Sequence, residues 1–146
     1  MADEEMTWES PLKGVERELA RLGHPVWGEI EDHFSVTEFK RPYEMDVAFL
    51  RWLFRVRVDA GCPFSLISDA RAVDGDVGAD KSAHKKRPCR AVDVIVKNSW
   101  MRGRIVIAAI RNGCVRLGTY PAKKNSLHLD CEDHEDNPSP RIWTKY

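Results

Sequence analysis

Between Tyr43 and Asp59 the chain carries apolar side chains on two adjoining stripes of a helix. Tyr43, Val47, Leu50 and Phe54 form one stripe, and Met45, Phe49, Trp52 and Val56 lie beside it. So wide an apolar face requires deep burial. Trp52 and its neighbours therefore read as core, not as a cofactor box. Gly61-Cys-Pro63 breaks this helix. Beyond it, Phe64–Ser68 and Ala91–Val96 read as strands, the second fully buried. Ser99 starts a helix with Met101, Ile105, Ala108, Ala109 and Asn112 on one side and Gly113 as its stop. Val115–Tyr120 and Ser126–Cys131 follow as two strands joined across Pro121–Asn125. Helices clustered around a few short strands predict an α+β domain, a small and mostly antiparallel sheet with helices packed around it.

The 146 residues form one globular unit with a helical extension over 1–32 and a main domain over 33–146. In the extension, Leu12, Val15, Leu19 and Leu22 recur at helical spacing before Gly23. His24-Pro25 turns the chain, and Val26 to Ile30 makes a short second helix. Phe34–Phe39 is a short extended segment closed by Pro42. His24 and His33 read as ordinary helix-end or surface residues. Lys+Arg and Asp+Glu both number 23, so no net charge argues for nucleic acid. No stretch approaches the ~18 apolar residues of a membrane span, and no signal peptide is visible. The chain is expected to be cytoplasmic as synthesised, with no membrane insertion and a monomer favoured.

Chemistry concentrates where apolar runs carry polar residues. Ser82-Ala-His84 leads through Lys85-Lys-Arg-Pro88 and Cys89 into Val92-Asp93-Val-Ile-Val96, and Ser126-Leu-His128-Leu-Asp130 carries a second histidine. Two imidazoles and one carboxylate are what a catalytic Zn²⁺ takes from a protein when a fourth position stays open for water. Residues two apart on a strand share a face, so His128 and Asp130 project together. One can bind metal and the other can take a proton. Cys62, Cys89, Cys114 and Cys131 lack C-x-x-C spacing and read as free thiols, although Cys89 and Cys131 stand close enough in sequence to be alternative ligands. Asp74-Gly-Asp-Val-Gly-Ala-Asp80 lacks the ligand spacing and closing Glu of a calcium loop.

Four landmarks, in order, resemble the zinc peptidases of the D-Ala-D-Ala carboxypeptidase group, in particular the small bacterial and phage branch that cleaves peptidoglycan peptides. His33-Phe-Ser-Val-Thr-Glu-Phe39 resembles that branch's opening motif. Ile67-Ser-Asp-Ala-Arg71 resembles its strand ending in S-G-x-R. Ser82-x-His84 to Ala91-x-Asp93 resembles S-x-H-x-x-G-x-A-x-D. Leu127-His-Leu-Asp130 with Arg141-Ile-Trp143 resembles its closing motif. Two departures stand out. Lys85–Pro88 lengthens the His84–Asp93 loop and puts Cys89 where the family has Gly, and Asn125 and Ser126 stand where many relatives carry an acid or a His.

The resemblance implies Zn²⁺ on His84, Asp93 and His128 in a surface cleft, with Asp93 preferred to either cysteine. The ion would lower the pKa of water from 15.7 to about 7 and polarise the scissile carbonyl. Asp130 is then the candidate general base, with Glu132 and His134 in reserve; its other reading is a partner that orients His128. Arg71 would stabilise the oxyanion or hold a substrate carboxylate, or else serve a structural ion pair. Ser82 would brace the His84 loop, and Trp143 would cap the core or wall the cleft. The implied activity is hydrolysis of an amide bond in peptidoglycan stem or cross-link peptides, after release to the wall or from a phage particle. A non-catalytic zinc-binding recognition or virion structural module with the same fold, and a zinc hydrolase of another amide, are the alternatives.

Overall fold

Five strands form one sheet in the computed structural model of the chain: β1 (Ser65–Ser68), β2 (Ala91–Ile95), β3 (Arg116–Tyr120), β4 (Ser126–Asp130) and β5 (Arg141–Thr144), in the spatial order β1-β2-β4-β3-β5. The described residues are 26–30, 33–34, 38–69, 82–114, 116–121, 125–133 and 137–145, with Ile67 by its backbone alone. The expected helix over Leu12–Leu22, His24, Arg71, the loop from Val73 to Lys81 and His134 lie outside them.

Four of the five strands pair antiparallel, and β5 joins β3 in parallel, so the expected α+β class with a mostly antiparallel sheet is observed. The parallel fifth strand went unread in the sequence. It is short, follows Pro138 and Pro140, and leaves most of its side chains exposed, so it carries no alternation of apolar and polar residues.

Alternation along the inner strands divides the sheet into two faces. Val92, Val94, Leu117, Leu127 and Leu129 are buried and share one core with the helices. Asp93, Gly118, His128 and Trp143 fall at the alternate positions. Core and chemistry thus occupy opposite sides of the same strands.

Among the described residues, three helices contribute to that core: α1 (Val26–Glu29), α2 (Val47–Ala60) and α3 (Ser99–Arg111). The longest begins four residues later than the apolar pattern suggests, because Asp46 is its N-cap and accepts a hydrogen bond from Phe49 N at 2.8 Å. Tyr43 consequently sits in a 3₁₀ turn over Pro42–Glu44 and is exposed, off the buried stripe. Phe49, Leu50, Trp52, Leu53 and Val56 are buried as expected. Trp52 also satisfies its indole N–H on Asn112 O at 2.8 Å, which ties α2 to the end of α3. Gly61 ends α2 with φ of 66°, a conformation that suits glycine.

Residues 26–30 do not stand apart from the domain. Val26, Trp27 and Ile30 belong to the same core as Phe34 and Phe39, and Trp27 meets Phe39 edge-on at 5.5 Å. The division at residue 32 is therefore crossed by packing. Among the described residues no helix is long and apolar enough to cross a membrane.

Candidate metal centre

His84 is delivered by a 3₁₀ turn over Ala83–Lys85, which Ser82 caps by accepting from His84 N at 3.2 Å. The long loop that follows is held rather than free. Arg87 donates to Glu44 at 2.6 Å and, through Nη1, to the carbonyls of His84 and Lys86 at 3.0 and 2.9 Å. Cys89 then bridges to the segment before α2, donating to Glu44 O and accepting from Asp46 N, each at 2.8 Å. These bonds hold the loop and bring the chain into β2 with Asp93 in register.

That register builds the site. Ser68 lies opposite Asp93, Asp93 opposite His128, His128 opposite Gly118, and Gly118 opposite Trp143, one row across all five strands. His84 adds its ring from the turn, 5.1 Å from that of His128. One ligand-type atom from each of His84, Asp93 and His128 then lies within 4.8 Å of the others, so this group could hold a metal ion. His84 and His128 are almost fully buried, while Asp93 leaves 20% of its side chain exposed.

The proton positions suit a cation. His84 Nδ1 lies 2.8 Å from Asp69 O, and a carbonyl can only accept, so Nδ1 carries a hydrogen and, in the neutral ring, Nε2 turns its lone pair inward. That Nε2 is buried without a hydrogen-bond partner, 3.2 Å from Asp93 Oδ1. A buried lone pair aimed at a carboxylate is costly unless something positive stands between them. On the other side, His128 Nδ1 is 3.0 Å from Asp93 Oδ1 and its Nε2 is 2.6 Å from Asp130 Oδ2. Burial opposes charge on His128, but the bonds to Asp130 and Asp93 outweigh it and raise the imidazole above its ordinary pKa. Burial likewise opposes charge on Asp93, yet the positive charge that the facing His128 and His84 rings carry when protonated holds its carboxyl well below the usual range.

Asp130 shares the strand face of His128 but does not face the group of three. Its Oδ2 takes His128 Nε2, on the far side of the imidazole from Nδ1, and its Oδ1 takes Arg116 Nε at 2.8 Å and Glu132 N at 3.0 Å. The carboxylate is wholly buried. Burial would raise its pKa, but the His128, Glu132 and Arg116 bonds hold it down. This is the geometry of an orienting partner, the second of the two roles open to Asp130 from the sequence. The first, a base beside the reacting water, needs an oxygen free on the Asp93 side. Strand periodicity placed the residue correctly; it could not tell which ring nitrogen the carboxylate would meet.

Of the other candidates, Glu132 is buried and gives its backbone N–H to Asp130, while Arg71 and His134 lie outside the described residues. Cys89 and Cys131 are not in the group of three. The Cys89 thiol is buried against Ala91 O, and burial pushes it up to about 12. His33 packs its ring on Phe54 at 5.2 Å, an ordinary core-edge contact.

Three residues that matter were not singled out in the sequence. Asp69 anchors Lys40 N and Arg41 N with its two oxygens, at 3.0 and 2.9 Å, while its carbonyl orients His84. Arg116, almost fully buried, holds Asp130 and also donates to Pro138 O and Asn137 Oδ1 at 2.6 and 3.3 Å. Gly118 lies under Trp143. An arginine and a glycine two residues apart, on one face of a strand, were the available signal; their partners are remote in sequence, and no local pattern names them. Compared with models of protein families, with curated proteins and with solved structures, the chain matches none.

Proposed function

We propose that this chain is a zinc-dependent metallopeptidase that hydrolyses an amide bond in peptidoglycan stem or cross-link peptides. The observation that carries the reading is the convergence of His84 Nε2, His128 Nδ1 and an Asp93 oxygen, with the outer nitrogen of each imidazole tied to an acceptor. Two imidazoles and a carboxylate on a partly open site match catalytic zinc better than the all-oxygen sets of Ca²⁺ or Mg²⁺. Zinc held there would supply a Lewis acid able to activate water near neutral pH and to polarise a carbonyl. The order of the sequence landmarks supports peptidoglycan peptides as the substrate class.

Within this reading the chain's own groups divide the work. Asp69 O and Asp130 fix the two imidazoles so that their inward nitrogens keep fixed directions. Arg116 holds Asp130 in place. Arg71 is assigned to the substrate carbonyl or carboxylate, on the strength of its motif. Proton transfer falls to Glu132 or His134 in preference to Asp130, whose oxygens are occupied. That occupation also favours a second reading, a metal-binding recognition module that lacks a base.

Two measurements together test the proposal. Purified protein should hold about one zinc per chain and release new amino and carboxyl termini from purified cell walls. His84→Ala/His128→Ala should do neither. Full zinc occupancy in that double variant would sink the site. Zinc in the wild type with no new termini from any peptidoglycan would transfer the case to the recognition module.

A further inference from the structure

Trp143 reaches the metal centre only because position 118 has no side chain. Gly118 lies between His128 and Trp143 in the row that crosses the sheet. A Cβ placed on it would stand 2.5 Å from Cε2 and Nε1 of Trp143 and 2.8 Å from Cζ2, closer than real side chains approach. The indole thus occupies the space a β-carbon would fill, as happens where glycine in a strand admits close approach. From there it meets the His128 ring at 5.4 Å between centroids, tilted by 44°.

The indole is also held from other directions. Its Nε1–H donates to Tyr120 OH at 2.8 Å. The guanidinium of Arg116 lies 5.3 Å from its ring and that of Arg141 lies 5.2 Å away, both at cation–π distance. Arg116 is the residue that also grips Asp130. The imidazole of His128 is therefore confined on one side by Trp143, on another by His84, and at its Nε2 edge by Asp130. Rotation of His128 that would swing Nδ1 away from Asp93 must displace one of these three.

We infer that Trp143, seated in the notch at Gly118, is a positioning residue that sets the direction of the His128 ligand and so the metal affinity of the site. The inference rests on the metal reading above. Trp143 touches no reacting atom; it acts through His128. Because the notch and the indole form one device, their substitutions should not add.

The test measures Co²⁺ and Zn²⁺ affinity, and the visible absorption spectrum of bound Co²⁺, for the wild type and four variants. Trp143→Ala and Gly118→Ala should each weaken binding about 10-fold or more, the range for residues that orient a ligand, and should alter the cobalt spectrum. Trp143→Phe keeps a ring over His128 and should restore most of the affinity. Gly118→Ala/Trp143→Ala should bind no worse than Trp143→Ala alone, since the clash has lost its partner. Wild-type affinity and spectrum in both single variants would overturn the proposal while leaving the metal reading intact. A double variant weakened by the product of the two single effects would also overturn it. A wild type that binds neither ion would overturn the metal reading and this proposal with it.

Discussion

Asp130→Asn separates the two roles a carboxylate can play beside His128. In the structure Oδ1 accepts from Arg116 and Glu132 while Oδ2 accepts from His128 Nε2, so all of these donors need oxygen. Asparagine offers one oxygen and one NH₂ group. If the oxygen stays with Arg116 and Glu132, the NH₂ meets His128 Nε2, and the imidazole must move its hydrogen to Nδ1. That blocks the lone pair directed at Asp93. If the amide flips, the NH₂ meets the Arg116 guanidinium, donor against donor. Loss of an orienting partner of this kind weakens metal affinity about 10–100-fold, which is about 1.4–2.7 kcal/mol.

Fold stability should fall too, because the buried Arg116 loses its ionised partner. Breaking such a pair costs about 3–5 kcal/mol when one member is deleted, and Asn, which keeps one acceptor, should cost less than Asp130→Ala. Competition with a chromophoric chelator at fixed pH reads the affinity directly. Wild-type zinc affinity in Asp130→Asn, with hydrolysis alone lost, would refute the reasoning and return Asp130 to the role of base.

Metal affinity should rise with pH. His128 is raised above its ordinary pKa in the metal-free protein, so a metal must displace its proton at any pH below that raised value, at a cost of up to about tenfold in affinity per pH unit. Chelator competition across the neutral range checks the slope, and a flat profile would contradict it. Asp46→Ala removes the cap of the longest helix and should lower stability by about 1 kcal/mol in denaturant unfolding, without changing metal content. Cys89, buried and pushed up to about 12, should stay unmodified by iodoacetamide at neutral pH until the chain is unfolded; labelling at the rate of a free thiol would show that the loop opens.

Periodicity and residue type were sufficient wherever the deciding contacts are local or repeat along an element. The two long helices, the buried inner strands and the α+β class could all be read from the chain, since a helix or strand displays its buried face in one dimension; His84, Asp93 and His128 stood out by residue type, with Asp93 preferred to the cysteines through the family resemblance. Helix α2 nevertheless starts at Val47 and not Tyr43, because the capping bond of Asp46 outweighed an apolar side chain. Tertiary structure alone decided which atoms meet. The pairing of β2 with β4 puts Asp93 opposite His128, across 35 residues of sequence. The direction of each imidazole depends on Asp69 O and Asp130, and the fate of Asp130 depends on an arginine two strands from β2. Strand alternation places a residue on a face; which nitrogen, carboxylate or guanidinium it finds there depends on register and on the parallel docking of β5, and neither leaves a mark in the local sequence.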